Sequence, residues 1–174
     1  PKVKTDTKAF DQAEKEVKEK IAKLLSIGGK QSVDDIHKKL GHIMWEYVGM
    51  GRTEEGLKTA LKLLKDIRKE FETNLFIPGS TEGVNIELEK ALRLNDFITM
   101  GELIAYDALN RNESCGGHFR EEYQTEEGEA KRDDENYFYV SCWEYQGSDD
   151  VAPVLYKEPL VYEAIKVQTR NYKS

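Results

Sequence analysis

Cys115 and His118 are the residues whose types come nearest to enzyme chemistry in this sequence. They lie three positions apart in the stretch ESCGGHFREEY, residues 113–123. An imidazole that accepts the proton of a thiol creates a strong nucleophile. A working dyad is a spatial arrangement, however, and neighbours that flank two glycines are more often part of a turn in which Gly116 and Gly117 adopt positive φ. A structural turn is therefore favoured, and a Cys–His hydrolase is the alternative.

A second stretch, KRDDENY at residues 131–137, groups an arginine with two aspartates just before an aromatic run. Arg132 can bind a carboxylate through two N–H groups, and Asp133 and Asp134 can cap backbone amides or pair with a cation. The simplest interpretation is a salt-bridged loop that leads into a strand.

Three other patterns resemble ligand sites but miss a required spacing. His37 and His42 are five residues apart in a helix, so about 140° of rotation separates them and they cannot chelate one ion as an i,i+4 pair does. The glycines of GMGRTEEG, residues 49–56, miss the GxGxxG spacing and follow a helix. The acidic residues between 121 and 129 lack the alternating ligands of a calcium loop. We therefore predict no catalytic, cofactor-binding or metal-binding residue in this chain.

The overall composition suits one compact domain or a bundle with an appendage, because 39% of the 174 residues are hydrophobic and 34% are charged. A net charge of -7 disfavours nucleic acid as a partner. No apolar run approaches the ~20 residues that span a bilayer. The first residues, PKVKTDTKAF, contain neither a methionine nor a signal-peptide core, so we expect a piece of a longer protein. Two cysteines without a CxxC pair favour a reducing cytoplasm and exclude a disulfide scaffold.

Apolar residues recur at steps of three and four along four segments, which predicts four helices joined by short connections. The first ends at the glycine pair 28–29 and is expected to pack peripherally. The second begins at Ser32, which is followed three residues later by Asp35 as in a capping box. The third runs from about Thr53 and ends before Pro78.

The fourth predicted helix, roughly Asn85 to Arg111, has apolar residues over more than half of its circumference. We expect it to be the central helix of a bundle and to be buried on more than one side. Beyond it, YFYVSCWEY at residues 137–145 favours a strand, and QGSDD at residues 146–150 favours a turn. Pro153 and Pro159 restrict the following extended segment to an edge.

These motifs occur in order: LGHIMWEYVGMGRTEEGLKTAL, LEKALRLNDFITMGELIAYDAL, NESCGGHFREEY, RDDENY and an aromatic strand. Together they resemble the C-terminal region of the flavoprotein subunit of succinate dehydrogenase/fumarate reductase, from about Ser32 to the tail. The usual form of the motif in that family is ESRGxHxR followed by RDDxxW. Eight residues match it: Glu113, Ser114, Gly116, His118, Arg120, Arg132, Asp133 and Asp134.

Two substitutions depart from the family pattern, since Cys115 replaces an arginine and Tyr137 replaces the tryptophan. The intervening loop EEYQTEEGEAK is also longer than the common one. These departures resemble the branch whose membrane partner is a diheme or related anchor.

The resemblance implies a mainly α fold: an antiparallel three-helix, spectrin-repeat-like bundle with an extra N-terminal helix and a C-terminal loop and β-strand tail. It divides the chain into a lead-in helix (1–31), the bundle (32–112), and the motif loop with its tail (113–174). The parent subunit would oxidise succinate or reduce fumarate on FAD and pass electrons to an iron–sulfur subunit and a membrane cytochrome anchor. The implied location is the inner face of the cytoplasmic membrane.

By the same resemblance this piece binds no FAD and is not catalytic alone, because the flavin-binding and capping domains lie upstream. The eight matching residues would lock the bundle and tail onto the flavin domain. We expect the hydrogen-bond partners of His118 and Arg120 to be missing from this chain. An independent helical protein-interaction module is the alternative.

Overall fold

The computed structural model of the chain describes residues 4–148 and 151–168. These residues form five helices and two strands: α1 Lys8–Ser26, α2 Val33–Val48, α3 Glu54–Asn74, α4 Ile86–Asn110, α5 Asp134–Tyr137, β1 Tyr139–Glu144 and β2 Val154–Pro159. The predicted class is confirmed, since the protein is mainly helical with a bundle and a C-terminal antiparallel hairpin. The chain divides into two compact units, residues 1–46 with 59–103 and residues 47–58 with 104–174.

The first unit is a bundle with an apolar interior contributed by α2, α3 and α4. Ile36, Leu64 and Ile98 are completely buried, one from each helix. One ion pair joins each pair of these helices. Lys39 of α2 pairs with Glu70 of α3 at 2.7 Å, Arg68 of α3 with Glu102 of α4 at 2.5 Å, and Lys90 of α4 with Asp34 of α2 at 3.1 Å.

Local signals fix where the bundle helices begin. The Ser32 hydroxyl accepts a hydrogen bond from the Asp35 amide at 3.1 Å and donates one to the Asp35 carboxylate at 2.7 Å, which confirms the predicted cap of α2. The side-chain oxygen of Asn85 accepts from the Leu88 amide at 3.0 Å and caps α4 in the same way. Such caps satisfy amides that have no partner inside a helix.

Gly29 allows the segment after α1 to pass directly over the end of α3. Its amide donates to the Leu75 carbonyl at 2.9 Å, and a Cβ at this position would lie 2.1 Å from the Asn74 backbone. Any residue larger than glycine would therefore push the two segments apart. Within α1 itself only Leu24 is buried, in line with the expected peripheral packing.

The prediction that α4 is buried on more than one side is wrong. A stripe that includes Ala91, Leu94 and Ile98 is buried, but Phe97 and Met100 are 45% and 51% exposed. Phe97 has a ring neighbour in His37, stacked at 5.5 Å between centroids. A bundle of three helices has no central member, because each helix packs against two others and keeps an outer side.

The second unit contains the hairpin of β1 and β2, in which Tyr139 pairs with Pro159 and Glu144 pairs with Val154. The predicted aromatic strand is confirmed. Within residues 4–148 and 151–168 the sheet has two strands, as expected of an edge segment that ends in proline. Gly147 adopts a φ of 84° in the predicted turn, of which Asp149 and Asp150 lie outside the described residues.

Candidate functional site

Cys115 and His118 are joined through their backbones by a tight turn. The Cys115 amide donates to the His118 carbonyl at 2.8 Å, and the His118 amide donates back at 3.0 Å. Gly116 has a φ of 59°, whereas Gly117 is not in the positive region. The predicted turn is confirmed, but positive φ at Gly117 is wrong, because a two-residue loop of the II′ type needs it only at its first position.

Both ring nitrogens of His118 have partners within the second unit. Nδ1 lies 2.8 Å from Nη1 of Arg52, and Nε2 lies 2.9 Å from the carbonyl oxygen of Arg111. A guanidinium can only donate and a carbonyl can only accept. Nδ1 is therefore the acceptor, Nε2 carries the proton, and the ring is neutral.

This arrangement leaves His118 without a base for the Cys115 thiol. The lone pair of Nδ1 is already used by Arg52, and Nε2 has a proton rather than a lone pair to offer. Burial lowers the pKa of the His118 imidazole, and the positive charges of Arg52, Arg120 and Arg111 lower it further, against the opposing effect of the Arg111 carbonyl. The geometry thus gives no support to a Cys–His hydrolase.

Arg52 lies in the loop between α2 and α3 and closes the C-terminal end of α2. Its Nε donates to the carbonyls of Val48 and Gly49 at 3.1 and 3.2 Å. Its backbone pairs with the segment after His118, because its amide donates to Phe119 at 3.0 Å and its carbonyl accepts from Glu121 at 2.9 Å. One residue therefore holds the end of a helix, the loop and the motif together.

Arg120 is completely buried and closes the C-terminal end of α4. Its Nη1 donates to the carbonyls of Ala108 and Leu109 at 3.1 and 3.4 Å, and its Nε donates to Glu122 at 3.0 Å. Ser114 fixes its backbone, accepting from the Arg120 amide at 2.8 Å and donating to its carbonyl at 3.1 Å. The guanidinium thus provides hydrogen bonds to carbonyls that have no partner within the helix.

Glu122 extends this chain of contacts to the beginning of α3. Its second oxygen accepts from the Glu54 amide at 2.5 Å, while the Thr53 hydroxyl accepts from the Gly56 amide at 3.0 Å. Burial disfavours the charged carboxylate, but the amides of Glu54 and Glu122 and the Arg120 guanidinium outweigh it and lower the pKa of Glu122. We call Arg52, His118, Arg120 and Glu122 the helix-end clamp, because together they contact the ends of α2, α3 and α4.

A second polar cluster connects the motif to the hairpin. Arg111 donates to Glu113 at 2.9 Å and to the carbonyls of Tyr137 and Tyr139 at 3.1 and 3.0 Å. Glu113, only 2% exposed, also accepts from the Asp133 amide at 3.0 Å. Further along, Trp143 donates its indole N–H to Asp107 at 2.7 Å.

The RDD stretch behaves as predicted from its residue types. Asp133 caps α5 by accepting from the Asn136 amide at 3.2 Å, and Arg132 pairs with Asp134 at 2.5 Å. A third donor of Arg132, Nη1, reaches the carbonyl of Gln168 at 3.3 Å in the tail.

Among the eight predicted motif residues, Ser114, His118 and Arg120 lie at the helix-end clamp, and Glu113 and Asp133 belong to the cluster around Arg111. Gly116 lies in the turn, and Arg132 and Asp134 pair with each other. The structure overturns one expectation about these residues. His118 and Arg120 were expected to lack partners within this chain, yet each has its hydrogen bonds satisfied inside the second unit. Among the described residues, no buried side-chain nitrogen or oxygen lacks a partner. The sequence could not reveal this, because the partners are mainly backbone carbonyls at helix ends.

Sequence reasoning missed Arg52 and Arg111 as parts of the site. Each follows the last turn of a helix, and arginine at that position often binds the final carbonyls. That local signal predicts a cap. It does not predict the contact of Arg52 with His118, which is 66 positions away.

Residues 37–172 match the model of a family described as the fumarate reductase flavoprotein C-terminal region. The chain belongs to this family. The match extends over most of the chain, and it includes both the helix-end clamp and the RDD stretch.

Curated relatives agree with membership of the fumarate reductase flavoprotein C-terminal family. The chain is 28% identical over 158 residues to the fumarate reductase flavoprotein subunit of Helicobacter pylori, covering 91% of this chain and 21% of that protein. It is 31% identical over 111 residues to an uncharacterized FAD-dependent oxidoreductase of Methanocaldococcus jannaschii, covering 64% of this chain and 20% of that protein. It is 35% identical over 89 residues to an L-aspartate oxidase of Nicotiana tabacum, covering 51% and 13%.

Solved structures with a similar fold include two reductases. A quinol–fumarate reductase with menaquinol molecules superposes with a TM-score of 0.77 at 21% identity, covering 94% of this chain and 27% of that chain. The Archaeoglobus fulgidus adenylylsulfate reductase gives a TM-score of 0.70 at 19% identity, covering 97% and 26%. The chain thus spans about a quarter or less of the relatives it matches.

The family is one of FAD-dependent oxidoreductases, and the flavin nucleotide carries phosphates of the kind that the N-terminal end of a helix can bind. The N-terminal end of α3, after the glycines of GMGRTEEG, is the position where a phosphate would bind a helix. Two of its amides, those of Glu54 and Gly56, are already bonded to Glu122 and Thr53, and a Cβ at Gly56 would lie 2.9 Å from the Thr53 hydroxyl. These residues do not fit a dinucleotide.

The described residues contain no group of three or more His, Cys, Asp or Glu side chains arranged to hold a metal ion. None of their helices is both long and apolar enough to cross a bilayer.

Proposed function

We propose that this chain is the C-terminal structural domain of a flavoprotein subunit of the succinate dehydrogenase/fumarate reductase type, and that it braces the FAD-binding domain upstream. In this role it is not catalytic alone. Redox chemistry takes place on FAD in the remainder of the subunit, and these helices and strands hold that remainder in its working arrangement.

The observation that carries this proposal is that the histidine and the arginine of the motif are hydrogen-bonded to other groups of this chain. Both ring nitrogens of His118 form hydrogen bonds within this chain, and so do Nε and Nη1 of the completely buried Arg120. Neither is available to a substrate. The motif is therefore suited to stiffening the ends of α2, α3 and α4, which is what a brace requires.

The surface offered to the flavin domain is the hairpin with the segment that follows it. Val140 and Tyr156 are 48% and 55% exposed on the outer face of the hairpin, and Val161 and Ile165 are 82% and 66% exposed beyond it. Single exposed apolar residues are ordinary, but several along one extended segment favour a protein partner. The eight motif residues, Glu113, Ser114, Gly116, His118, Arg120, Arg132, Asp133 and Asp134, would contribute to docking by holding this segment in place.

The proposed reaction of the parent subunit is succinate oxidation or fumarate reduction. The match to a fumarate reductase subunit extends over 91% of this chain, against 51% for the L-aspartate oxidase. Electrons would pass from FAD to an iron–sulfur subunit and on to a membrane cytochrome anchor. That complex would hold the protein at the inner face of the cytoplasmic membrane.

Flavin binding tests the division of labour directly. We expect the purified 174-residue chain to be colourless and to leave FAD fluorescence unchanged on titration. Stoichiometric FAD uptake by this chain would overturn the proposal. A gene that begins immediately before Pro1, with no flavin domain in frame, would favour the independent interaction module.

The docking surface is tested in the full-length subunit with two matched valine substitutions. Val161→Glu introduces a charge in the tail, and Val84→Glu introduces the same charge at a residue that is 98% exposed in the loop before α4. We expect Val161→Glu to reduce FAD retention and succinate or fumarate turnover at least several-fold, while Val84→Glu leaves both unchanged. Equal behaviour of the two variants would contradict docking through the tail.

A further inference from the structure

His118 occupies an unusual electrostatic position in the helix-end clamp. It accepts a hydrogen bond from the guanidinium of Arg52 at 2.8 Å, so a neutral ring nitrogen faces a permanent cation. The opposite nitrogen donates to the Arg111 carbonyl at 2.9 Å, and the Nδ1–H tautomer would lose that bond.

We propose that His118 is an acid-sensitive latch: in its neutral form it holds Arg52 and the loop between α2 and α3 in place, and its protonation releases them. A protonated ring has an N–H at Nδ1 as well as at Nε2. The hydrogen bond from Arg52 would then become a contact between two donors that both carry positive charge.

The charged groups around the ring strengthen this effect. Arg52 approaches from the α2–α3 loop, Arg111 from the end of α4, and Arg120 from the motif segment itself, and all three oppose a positive ring. The nearby carboxylates interact with arginines, since Glu122 forms an ion pair with Arg120 and the charge of Asp107 favours the protonated form of Arg52. The charges that lower the pKa of the His118 ring are thus three guanidinium groups.

Release of Arg52 has a defined structural consequence. Its side chain also holds the carbonyls of Val48 and Gly49, and its backbone exchanges two hydrogen bonds with Phe119 and Glu121. Two positive groups repelling each other at 2.8 Å would weaken these contacts together. The loop would open locally at a pH where the bundle of the first unit remains folded.

The sign of the pH dependence follows from the lowered pKa of His118, which agrees with the geometry. A histidine with a lower pKa in the folded state binds fewer protons there than in the open state. The latch is therefore closed above the ordinary histidine pKa of about 6.5 and is progressively destabilised as the pH falls through that value. One proton shifts the opening equilibrium by at most about tenfold for each pH unit.

This inference goes beyond the proposed brace, because the latch is built from residues of this chain and does not depend on a flavin domain. It predicts that the first element to respond to mild acid is the Arg52 loop. The test can therefore be made on the 174-residue chain itself.

Nuclear magnetic resonance of the histidine rings provides the first test. We expect His118 to be the Nε2–H tautomer at neutral pH and to titrate below about 6.5, with the Arg52 side-chain signals changing at the same midpoint. A His118 that titrates at or above 6.5, or that is the Nδ1–H tautomer, would overturn the proposal. So would Arg52 signals that do not change through the titration.

Amide hydrogen exchange supplies the second test and a control within the same molecule. After correction for intrinsic rates, protection of the Arg52 and Glu121 amides should fall by up to about tenfold per pH unit below 6.5. Protection of the Lys30 amide, which donates to Asn74 at 2.9 Å in the first unit, should stay constant. A uniform loss at all three amides would indicate general acid unfolding and contradict a local latch.

A matched pair of substitutions isolates the imidazole. His118→Asn keeps an acceptor near the position of Nδ1 but cannot titrate in this range, so it should remove the pH dependence of Arg52 protection. His42→Asn, at an exposed position of α2, should leave it unchanged. If His118→Asn does not fold, the titration of the unaltered chain still decides the question.

Discussion

The two compact units of this protein are stabilised in different ways. The first unit has an apolar interior in which Ile36, Leu64 and Ile98 are buried, and its ion pairs are half-buried or exposed. The second unit buries a charged residue, Arg120, and satisfies it with carbonyls and a carboxylate. Apolar burial tolerates some variation in shape, whereas a buried cation needs each of its partners in place. The second unit should therefore be the more sensitive to single polar substitutions.

Loss of the buried guanidinium should have the largest effect. Arg120→Ala leaves the Ala108 carbonyl and part of Glu122 without a partner, so we expect a loss of about 3–5 kcal/mol in the free energy of unfolding. Denaturant unfolding followed by circular dichroism measures this loss. Arg93→Ala, which removes an exposed arginine from α4, is the control and should cost less than about 0.5 kcal/mol. Similar losses in the two variants would contradict the importance of burial.

A cavity in the bundle should rank next and sharpens the contrast between the units. Leu64→Ala removes a completely buried side chain from α3, and we expect a loss of about 3 kcal/mol, as is usual for leucine in a packed core. The same unfolding experiment applies. Met100→Ala, at a position of α4 that is 51% exposed, should cost far less. A Leu64→Ala loss below that of Met100→Ala would show that the apolar interior does not dominate the first unit.

The hydrogen bond between Trp143 and Asp107 should have an intermediate effect. Trp143→Phe keeps an aromatic ring beside Tyr106, whose centroid lies 5.0 Å from that of Trp143, but removes the 2.7 Å bond to the carboxylate. We expect a loss of about 1.5–2 kcal/mol, because hydrogen bonds to charged groups exceed neutral ones. Asp107→Asn retains an acceptor and should cost less. An unchanged unfolding midpoint for Trp143→Phe would mean that ring packing alone holds the strand.

The smallest effect should come from the cap of α2. Ser32→Ala removes the acceptor of the Asp35 amide, so we expect a loss of about 1 kcal/mol. Ser26→Ala, which removes a hydroxyl bonded to the Lys23 carbonyl at the end of α1, is the comparison and should cost less than half as much. Equal losses would indicate that the hydroxyl does not act as a helix cap at Ser32.

Much of the bundle could be predicted from the sequence because its signals are local. Apolar spacing predicted α1 to α4, and Ser32 with Asp35 predicted the beginning of α2. The burial of α4 was predicted wrongly, since periodicity records which residues are apolar and not how many neighbours a helix has. Phe97 and Met100 are apolar and still exposed.

The candidate site was predictable in its position and not in its contacts. The stretch around His118 stood out by residue type and by its resemblance to a family motif, and the turn at Gly116 followed from the glycine pair. Its chemistry did not follow, because the partners of His118 are a guanidinium 66 positions away and a backbone carbonyl that any residue could supply. An arginine after a helix predicts a bond to the final carbonyls, but no residue-type pattern says which distant side chain also reaches them.

The sequence by itself determined the helices, the aromatic strand and the family to which the chain belongs, since these depend on periodicity, local caps and ordered motifs. Only the tertiary structure decided that Arg52, His118, Arg120 and Glu122 form one clamp on the ends of three helices. The physical reason is distance along the chain. Hydrogen bonds between distant segments depend on where folding brings the helix ends, and a linear sequence does not state those positions.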